Sequence, residues 1–310
     1  MIIKNKSIPE FLIQAYQDKS NLSVKNIKHQ KLVDFYLSQE IKREGKDLSV
    51  KLLKNHFKKK CTASIFAKQD GIIAGLEEIK YFLKKTAVKQ CFFLQDSALV
   101  KKNQKILTLK GNSKLILKIE RALLNFLGRL SGIATMTYTY IQKTNYQILI
   151  CPTRKTLWSN LDKKAVIIGG GGSHRLNLNT AVLLKENHLN LLKNQIKDLE
   201  KIFSKKTKWD IGKFLEIEVE NEDDFIVIFN LLKKINLPSH IPKIIMFDNF
   251  PPEKIKKITK KYQDKNIFFE ASGGISLKNI SSYKNTGVHI ISSGALTHSS
   301  KHFDLSLLID

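Results

Sequence analysis

Five cationic residues of the 310-residue chain share one property, since each lies at or just beyond the end of an apolar run. They are Arg154, Lys155, His174, Arg175 and Lys185. Arginine binds a carboxylate or phosphate through two hydrogen bonds, whereas lysine acts as a point charge. Cations that converge on one pocket repel one another unless an anion joins them. The group therefore indicates a site for a multiply anionic ligand, and the alternative is a set of surface ion pairs.

Two carboxylates, Glu218 and Asp248, lie near the ends of the apolar segments FLEIEVE and KIIMFDNF. Carboxylates in this position hold Mg²⁺ on a phosphorylated substrate or accept hydrogen bonds from ribose hydroxyls. Glu216 and Glu220 share the two-residue alternation of Glu218, so the pattern leaves open which glutamate faces the site. The alternative role for these acids is a helix cap or a solvated surface charge.

Glycine turns follow the last two predicted strands, at Ser272-Gly273 and Ser293-Gly294. Turns after the final strands of a barrel commonly form a cradle for a phosphate ester. The sequence contains no GxSxG motif, P-loop or dinucleotide-binding fingerprint. The three groups together predict an anionic acceptor that binds beside a ribose phosphate and a metal ion.

The second half of the chain alternates short apolar runs with amphipathic segments. The predicted strands cover 147–151, 165–168, 181–184, 214–219, 243–247, 267–270 and 288–292, and the predicted helices cover 190–203, 222–235, 252–262 and 276–284. Repeated βα units give a parallel sheet, either a barrel or a doubly wound sheet. Polar groups follow nearly every strand, which favours an α/β barrel because barrel enzymes build their sites at that end. Seven strands predict an open, incomplete TIM-like barrel.

The first part of the chain predicts a different architecture. Residues 1–60 are mainly helical in pattern, and strands at 61–67, 91–94 and 105–109 flank a helix at 76–85. This set predicts an N-terminal α+β domain over residues 1–112. An apolar stripe at helical spacing then begins a long helix that opens the barrel domain, 113–296. The tail 297–310 is expected to pack on the N-terminal domain.

The composition limits the class of partner. The formal charge is +25, but the excess is mostly lysine spread along the chain, and no stretch alternates basic residues with exposed aromatics. Nucleic acid is therefore not expected as the principal ligand, although a basic binding protein remains an alternative. No apolar run approaches a membrane span and no signal peptide is evident. The three cysteines form no CxxC pair, which fits a reducing cytoplasm.

Taken in order, several motifs resemble the quinolinate phosphoribosyltransferase family. They are GIIAGLEE (71–78), ERALLNFLGRLSGIAT (120–135), TRKT (153–156), GGGGSHR (169–175), LLKENH (183–188), EIEVEN (216–221), FDNF (247–250), EASGGI (270–275) and GVHIISSGALTHS (287–299). The resemblance implies phosphoribosyl transfer from phosphoribosyl pyrophosphate to quinolinate with decarboxylation, a step of NAD biosynthesis. The alternatives are a paralogue that uses another anionic acceptor, as in molybdate-operon relatives, and an inactive binding protein.

The resemblance also implies roles for individual residues. Those that hold the quinolinate carboxylates would be Arg154, His174, Arg175 and Lys185. Those that serve phosphoribosyl pyrophosphate and its Mg²⁺ would be Lys155, Glu218 and Asp248, with Lys185 also counted as catalytic. Those that surround the 5′-phosphate would be Ser272, Gly273, Ser293, Gly294 and His298.

The same resemblance implies a homodimer, or an oligomer built from dimers, in which Arg121 reaches the partner's site. The sequence departs from the family pattern at Pro152, Ser173 and Glu186 and in the loop 157–162.

Overall fold

Two separate sheets organise the protein. The computed structural model describes residues 8–53, 56, 58–204 and 210–310. The helices are α1 (Glu10–Tyr16), α2 (Ile27–Arg43), α3 (Leu48–Leu52), α4 (Leu76–Leu83), α5 (Ser113–Lys143), α6 (Asn160–Ile168), α7 (Glu186–Leu189), α8 (Gln195–Ser204), α9 (Glu222–Lys234), α10 (Pro252–Lys261) and α11 (Ala295–His298), with a 3₁₀ helix at Ile280–Tyr283. The strands are β1 (Lys60–Ala67), β2 (Gly71–Ile72), β3 (Lys89–Phe92), β4 (Leu99–Val100), β5 (Lys105–Asn112), β6 (Leu149–Pro152), β7 (Val182–Leu184), β8 (Leu215–Val219), β9 (Lys243–Asp248), β10 (Ile267–Ser272), β11 (Ile290–Ser293) and β12 (Leu305–Ile309).

The first sheet is antiparallel and has the order β12-β1-β5-β3. Its outer strand β12 comes from the end of the chain and pairs with β1 from Ala63↔Ile309 to Ala67↔Leu305. The C-terminal tail thus returns to the sheet that the first part of the chain builds. β2 and β4 form a separate two-stranded sheet.

The second sheet is a curled half-barrel of six parallel strands in the order β6-β11-β10-β9-β8-β7. This order places β6 and β7 at opposite edges, whereas in a closed barrel they would be neighbours. The predicted open α/β barrel with an N-terminal α+β part is therefore confirmed. In parallel sheets the carboxyl ends of all strands meet at one rim, which brings together the polar groups that follow β6, β7, β9, β10 and β11.

The predicted strand at 165–168 is wrong, because these residues form the last turns of α6. A short apolar run does not by itself distinguish a buried strand from a buried helix. Leu161, Ala165 and Ile168 are buried at helical spacing, and α6 packs against the long helix α5. The half-barrel has six strands in the described residues for this reason, one fewer than the sequence predicts. The predicted helix at 276–284 is reduced to the 3₁₀ helix Ile280–Tyr283.

The long helix α5 spans 31 residues and separates the two sheets in the sequence. Its predicted apolar stripe is buried at every position, namely Ile116, Ile119, Leu123, Leu127, Leu130 and Ala134. Asn112 caps the helix by accepting the backbone N–H of Leu115 at 3.2 Å. Within the described residues, no helix combines the length and the apolar character that crossing a membrane requires.

Candidate active site

A cleft of about 960 Å³ lies at the carboxyl-terminal rim of the half-barrel. It gathers predicted residues from the segments at or after the ends of β6, α6, β7, β9, β10 and β11, whereas the predicted Glu218 of β8 is not among its lining residues. Those that line it are Arg154, Lys155, His174, Arg175, Lys185, Asp248, Ser272, Gly273, Ser293, Gly294 and His298. A cavity of this size suits a pair of substrates rather than a single small ion.

The cationic wall of the cleft contains Arg154, Arg175 and Lys185. Arg175 is only 6% exposed although it lines the cleft. Burial, and then the positive charge of Arg154, lowers the pKa of the Arg175 guanidinium. The two arginines therefore act on the same region of space, and an anion bound between them relieves their mutual repulsion.

Opposite charges meet at the β7 and β8 side of the rim. Lys185, directly after β7, forms an ion pair with Glu218 of β8. The pKa of the exposed Glu220 is raised mainly by the charge of Glu186, then by burial, Asp248 and Glu218. Several carboxylates thus share this part of the rim. Hard carboxylate oxygens are the protein ligands that Mg²⁺ prefers, so Glu218 and Asp248 fit such an ion.

The glycine turn after β10 forms the floor of the cleft next to Asn249. Gly273 and Gly274 have φ of 89° and 60°, in the left-handed region that glycine adopts without strain. A Cβ on Gly273 would lie 2.3 Å from the Asn249 side-chain oxygen. The close approach leaves backbone groups, rather than side chains, facing the cleft at this point.

The turn after β11 lies beside the one after β10, because the two strands pair in parallel. The Ser293 hydroxyl donates to the carbonyl oxygen of Ile275 at 2.6 Å and so ties the two turns together. His298, on the short helix that follows, has Nδ1 2.6 Å from the Ser299 hydroxyl. Both predicted phosphate-binding turns are therefore adjacent in space.

His174 enters the cleft from the segment after α6 and not from a strand end. The backbone N–H of Gly172 donates to Ile150 of β6 at 2.9 Å, so this segment runs along the open edge of the half-barrel. His174 Nε2 lies 3.2 Å from Glu270 and 3.5 Å from Glu216. Its Nδ1 accepts the backbone N–H of Arg175 at 2.8 Å. Both ring nitrogens therefore contact the protein itself, and the ring forms part of the wall beneath Arg175.

Two residues below the cleft, Tyr16 and Glu270, were missed by the sequence reasoning. Glu216, which the alternation of β8 had left open as a glutamate facing the site, lies with them, and all three have 0% exposure. Burial, and then the neighbouring Glu270 carboxylate, raises the pKa of Glu216 well above its ordinary value. The available signal was the pair of glutamates inside otherwise apolar strands, since buried carboxylates need partners.

Arg121 is not among the residues that line the cleft of its own chain. It lies on the exposed side of α5, next to Glu120. Burial raises the pKa of the Glu120 carboxyl, and the positive charge of Arg121 partly opposes this rise. Its predicted role in a partner's site remains a prediction.

The altered loop 157–162 is fixed at its base by Asp162. This buried carboxylate accepts the backbone N–H groups of Leu157 and Trp158 at 2.9 and 3.0 Å. It also pairs with Arg129 of α5 through two hydrogen bonds, at 3.0 and 2.8 Å. A bidentate, buried pair of this kind holds the loop after Lys155 in one position.

Comparison with known proteins gives one consistent family. Residues 47–131 match the profile of the quinolinate phosphoribosyl transferase N-terminal domain, and residues 133–308 match that of the C-terminal domain. The chain is 37% identical to a probable nicotinate-nucleotide pyrophosphorylase [carboxylating] of Bacillus subtilis, over 80% of this chain and 83% of the relative. A protein of the same name from Methanocaldococcus jannaschii is also 37% identical, over 80% and 86%. The fold resembles a nicotinate-nucleotide pyrophosphorylase structure from Francisella tularensis, with a TM-score of 0.75, 29% identity and coverage of 91% and 97%.

Proposed function

The chain belongs to the quinolinate phosphoribosyltransferase family, and we propose that the cleft at the rim of the half-barrel is its active site. The enzyme transfers the phosphoribosyl group of phosphoribosyl pyrophosphate to quinolinate and removes one carboxylate, giving nicotinate mononucleotide, pyrophosphate and CO₂. This is a pentosyl transfer of NAD biosynthesis. The observation that carries the assignment of the site is the convergence of Arg154, Arg175 and Lys185 on one cleft that also contains two glycine turns.

The cationic wall is the proposed site of quinolinate. Two carboxylates on adjacent ring carbons need two groups of cationic donors, which Arg154 and Arg175 supply as planar forks and Lys185 as a point charge. His174 lies in the same wall and fixes the backbone of Arg175 through its ring. Removal of water by the ligand strengthens each of these contacts, because they then act in a medium of lower dielectric constant.

The opposite side of the cleft is the proposed site of phosphoribosyl pyrophosphate. The turns at Ser272-Gly273 and Ser293-Gly294 would hold the 5′-phosphate, with His298 at their edge. Lys155 follows β6, which pairs with β11, and Asp248 ends β9, which pairs with β10, so both adjoin these turns, where we place the ribose and its pyrophosphate. Glu218 and Asp248 would hold Mg²⁺ together with the substrate. When bound, the ion neutralises the charge of the pyrophosphate leaving group.

The chemistry needs no covalent bond to the protein. The bond between C1 of the ribose and pyrophosphate breaks, and the ring nitrogen of quinolinate forms a new bond to C1. The carboxylate beside that nitrogen then leaves as CO₂, and its electron pair stays on the ring carbon, which takes up a proton. The residues contribute by orienting the acceptor nitrogen towards C1 and by stabilising negative charge with Lys155 and Lys185.

We propose that the active assembly is a dimer in which Arg121 enters the neighbour's cleft. Its exposure on α5 and its absence from its own cleft support this arrangement. Large exposed apolar side chains on α2, which packs against α5, support a protein contact there; they are Ile27 and Phe35. We place the enzyme in the cytoplasm, since its three cysteines are free.

The test is direct synthesis of the product. Purified protein is incubated with quinolinate, phosphoribosyl pyrophosphate and Mg²⁺, and nicotinate mononucleotide and CO₂ are measured. An Arg175→Met variant serves as the matched control, because it keeps most of the side-chain bulk and removes the guanidinium. Wild-type turnover that the variant lacks supports the proposal, whereas no product from folded wild-type protein across pH 6–9 would refute it.

A further inference from the structure

The N-terminal segment that precedes both family matches reaches the centre of the half-barrel. The matches begin at residue 47, whereas α1 lies at Glu10–Tyr16. Leu12 and Tyr16 of α1 have no exposed surface. The Tyr16 ring stacks on Phe214 with ring centres 4.5 Å apart and an angle of 9° between the planes. This part of the chain is thus a component of the barrel core, not an appendage.

Main-chain contacts join this segment to the residue before His174. The carbonyl oxygen of Tyr16 accepts the backbone N–H of Ser173 at 2.7 Å and lies 2.9 Å from its hydroxyl. The backbone N–H of Asp18 donates to the same hydroxyl at 3.2 Å, and the Gln17 side chain donates to Gly171 at 2.9 Å. These contacts fix the segment that carries His174, whose φ of 51° is unusual for a residue with a side chain.

The side chain of Tyr16 completes a second connection to His174. Its hydroxyl donates to one oxygen of Glu270 at 3.1 Å, and His174 Nε2 lies 3.2 Å from the other oxygen. Since Nδ1 of His174 accepts the Arg175 N–H, the ring proton is on Nε2 and points to Glu270. One carboxylate therefore receives hydrogen bonds from both residues, and the chain of contacts runs from Tyr16 through Glu270 and His174 to Arg175.

Glu216 lies in the same buried cluster but has a different environment. In the described part of the chain, no other donor group bonds to its carboxyl oxygens, His174 Nε2 is 3.5 Å away, and the carboxyl lies within hydrogen-bonding reach of Glu270. Burial raises the pKa of Glu216. Burial acts in the same direction on Glu270, but the His174 ring and several hydrogen bonds outweigh it and lower the pKa of Glu270. Glu216 therefore shares the burial of Glu270 but not its hydrogen bonds to Tyr16 and His174.

We propose that Tyr16 and Glu270 are positioning residues for the acceptor site, with Glu270 hydrogen-bonded to both Tyr16 and His174, and with His174 held between Glu270 and Arg175. The proposal rests on the proposed function in one respect, namely that Arg175 binds quinolinate. It adds that the N-terminal segment, through a residue that does not line the cleft, determines how firmly Arg175 is oriented towards that ligand.

The test compares three substitutions in the full-length enzyme. Tyr16→Phe keeps the ring on Phe214 and removes the hydroxyl. Glu270→Gln turns an acceptor of two hydrogen bonds into a group with one acceptor oxygen and one donor amide. Glu216→Gln makes the same change at an equally buried position that neither Tyr16 nor His174 hydrogen-bonds. Phe11→Leu, which alters only the packing of α1 on Phe268, is the control for loosened packing.

The readouts are the Kd of quinolinate by calorimetry, the KM of each substrate and the melting temperature. We expect Tyr16→Phe and Glu270→Gln to weaken quinolinate binding roughly tenfold, as for a lost hydrogen bond to a charged group, with the KM of phosphoribosyl pyrophosphate unchanged. Glu216→Gln should stay within about threefold of wild type because it removes no hydrogen bond made by Tyr16 or His174.

Three results would overturn the proposal. The first is a Tyr16→Phe enzyme with wild-type quinolinate affinity, which remains measurable if Glu270→Gln does not fold. The second is equal damage from Glu216→Gln and Glu270→Gln, and the third is a loss in Phe11→Leu as large as in Tyr16→Phe. Failure of the proposed function is distinguishable, since it would appear as a wild-type enzyme that binds quinolinate without forming product.

Discussion

A methyl group added at Gly273 should impair the binding of phosphoribosyl pyrophosphate at this turn and leave quinolinate binding at the cationic wall unchanged. A Cβ at this position would lie 2.3 Å from the Asn249 side-chain oxygen and 2.8 Å from its backbone nitrogen. Ordinary contact begins at 3.4 Å, so the turn has to move by about 1 Å. Gly274 next to it has 4.0 Å of room, which makes Gly274→Ala a matched control with the same kind of positive φ.

The two substitutions differ in expected magnitude. A side chain at a left-handed position costs about 1–2 kcal/mol, and this applies to both glycines. Overpacking adds about 1–3 kcal/mol at Gly273 alone. A displacement of about 1 Å in a substrate-binding turn reduces turnover by roughly 100-fold. We therefore expect Gly273→Ala to lower kcat/KM for phosphoribosyl pyrophosphate about 100-fold and Gly274→Ala about tenfold or less.

The assay is steady-state formation of nicotinate mononucleotide with each substrate varied in turn, together with thermal unfolding. The Kd of quinolinate should remain near the wild-type value in both variants, because the cationic wall is built from other segments. Equal losses of kcat/KM in the two alanine variants would refute the steric argument. An unchanged KM for phosphoribosyl pyrophosphate in Gly273→Ala would refute the assignment of the turn to its phosphate.

Three further predictions concern charge. Asp248→Asn should spare quinolinate binding and weaken the Mg²⁺-dependent binding of phosphoribosyl pyrophosphate roughly tenfold or more, and equal loss of both ligands in calorimetric titrations would contradict this division. Arg121→Ala and Arg175→Ala should each be inactive. An equal mixture with free subunit exchange should recover about a quarter of wild-type activity, because half the dimers then contain one intact site of two. Proven heterodimers without activity would place Arg121 outside the partner's site. Burial lowers the pKa of Lys163 to about 7, and its amine donates to the Ser173 carbonyl at 2.8 Å. Since the unfolded chain keeps that proton to a higher pH, wild-type stability relative to Lys163→Met should rise between pH 7 and 10, and a flat difference in melting temperature would count against it.

The sequence alone predicted which polar residues gather at the rim. Arg154 and Lys185 follow strands, and the glycine turns follow the last two strands, so a parallel α/β arrangement brings them to one end, whereas Arg175 reaches that end from the segment after α6. Such predictions succeed because the two-residue alternation of strands and the shared direction of βα units are local properties. The long helix α5 was predictable for the same reason, since its stripe repeats over many turns.

Only the tertiary structure decided which residues lie beneath that rim. Residues 165–168 are equally apolar in a helix or a strand, and packing against α5 selects the helix. Glu216 and Glu218 face the same side of β8, but Glu216 lies deep in the barrel and Glu218 lies at the rim beside Lys185. Tyr16 and Glu270 are 254 residues apart, and no local pattern predicts their hydrogen bond. Depth in a barrel and contact between distant segments depend on how the whole chain closes around its core, and local spacing carries no information about either.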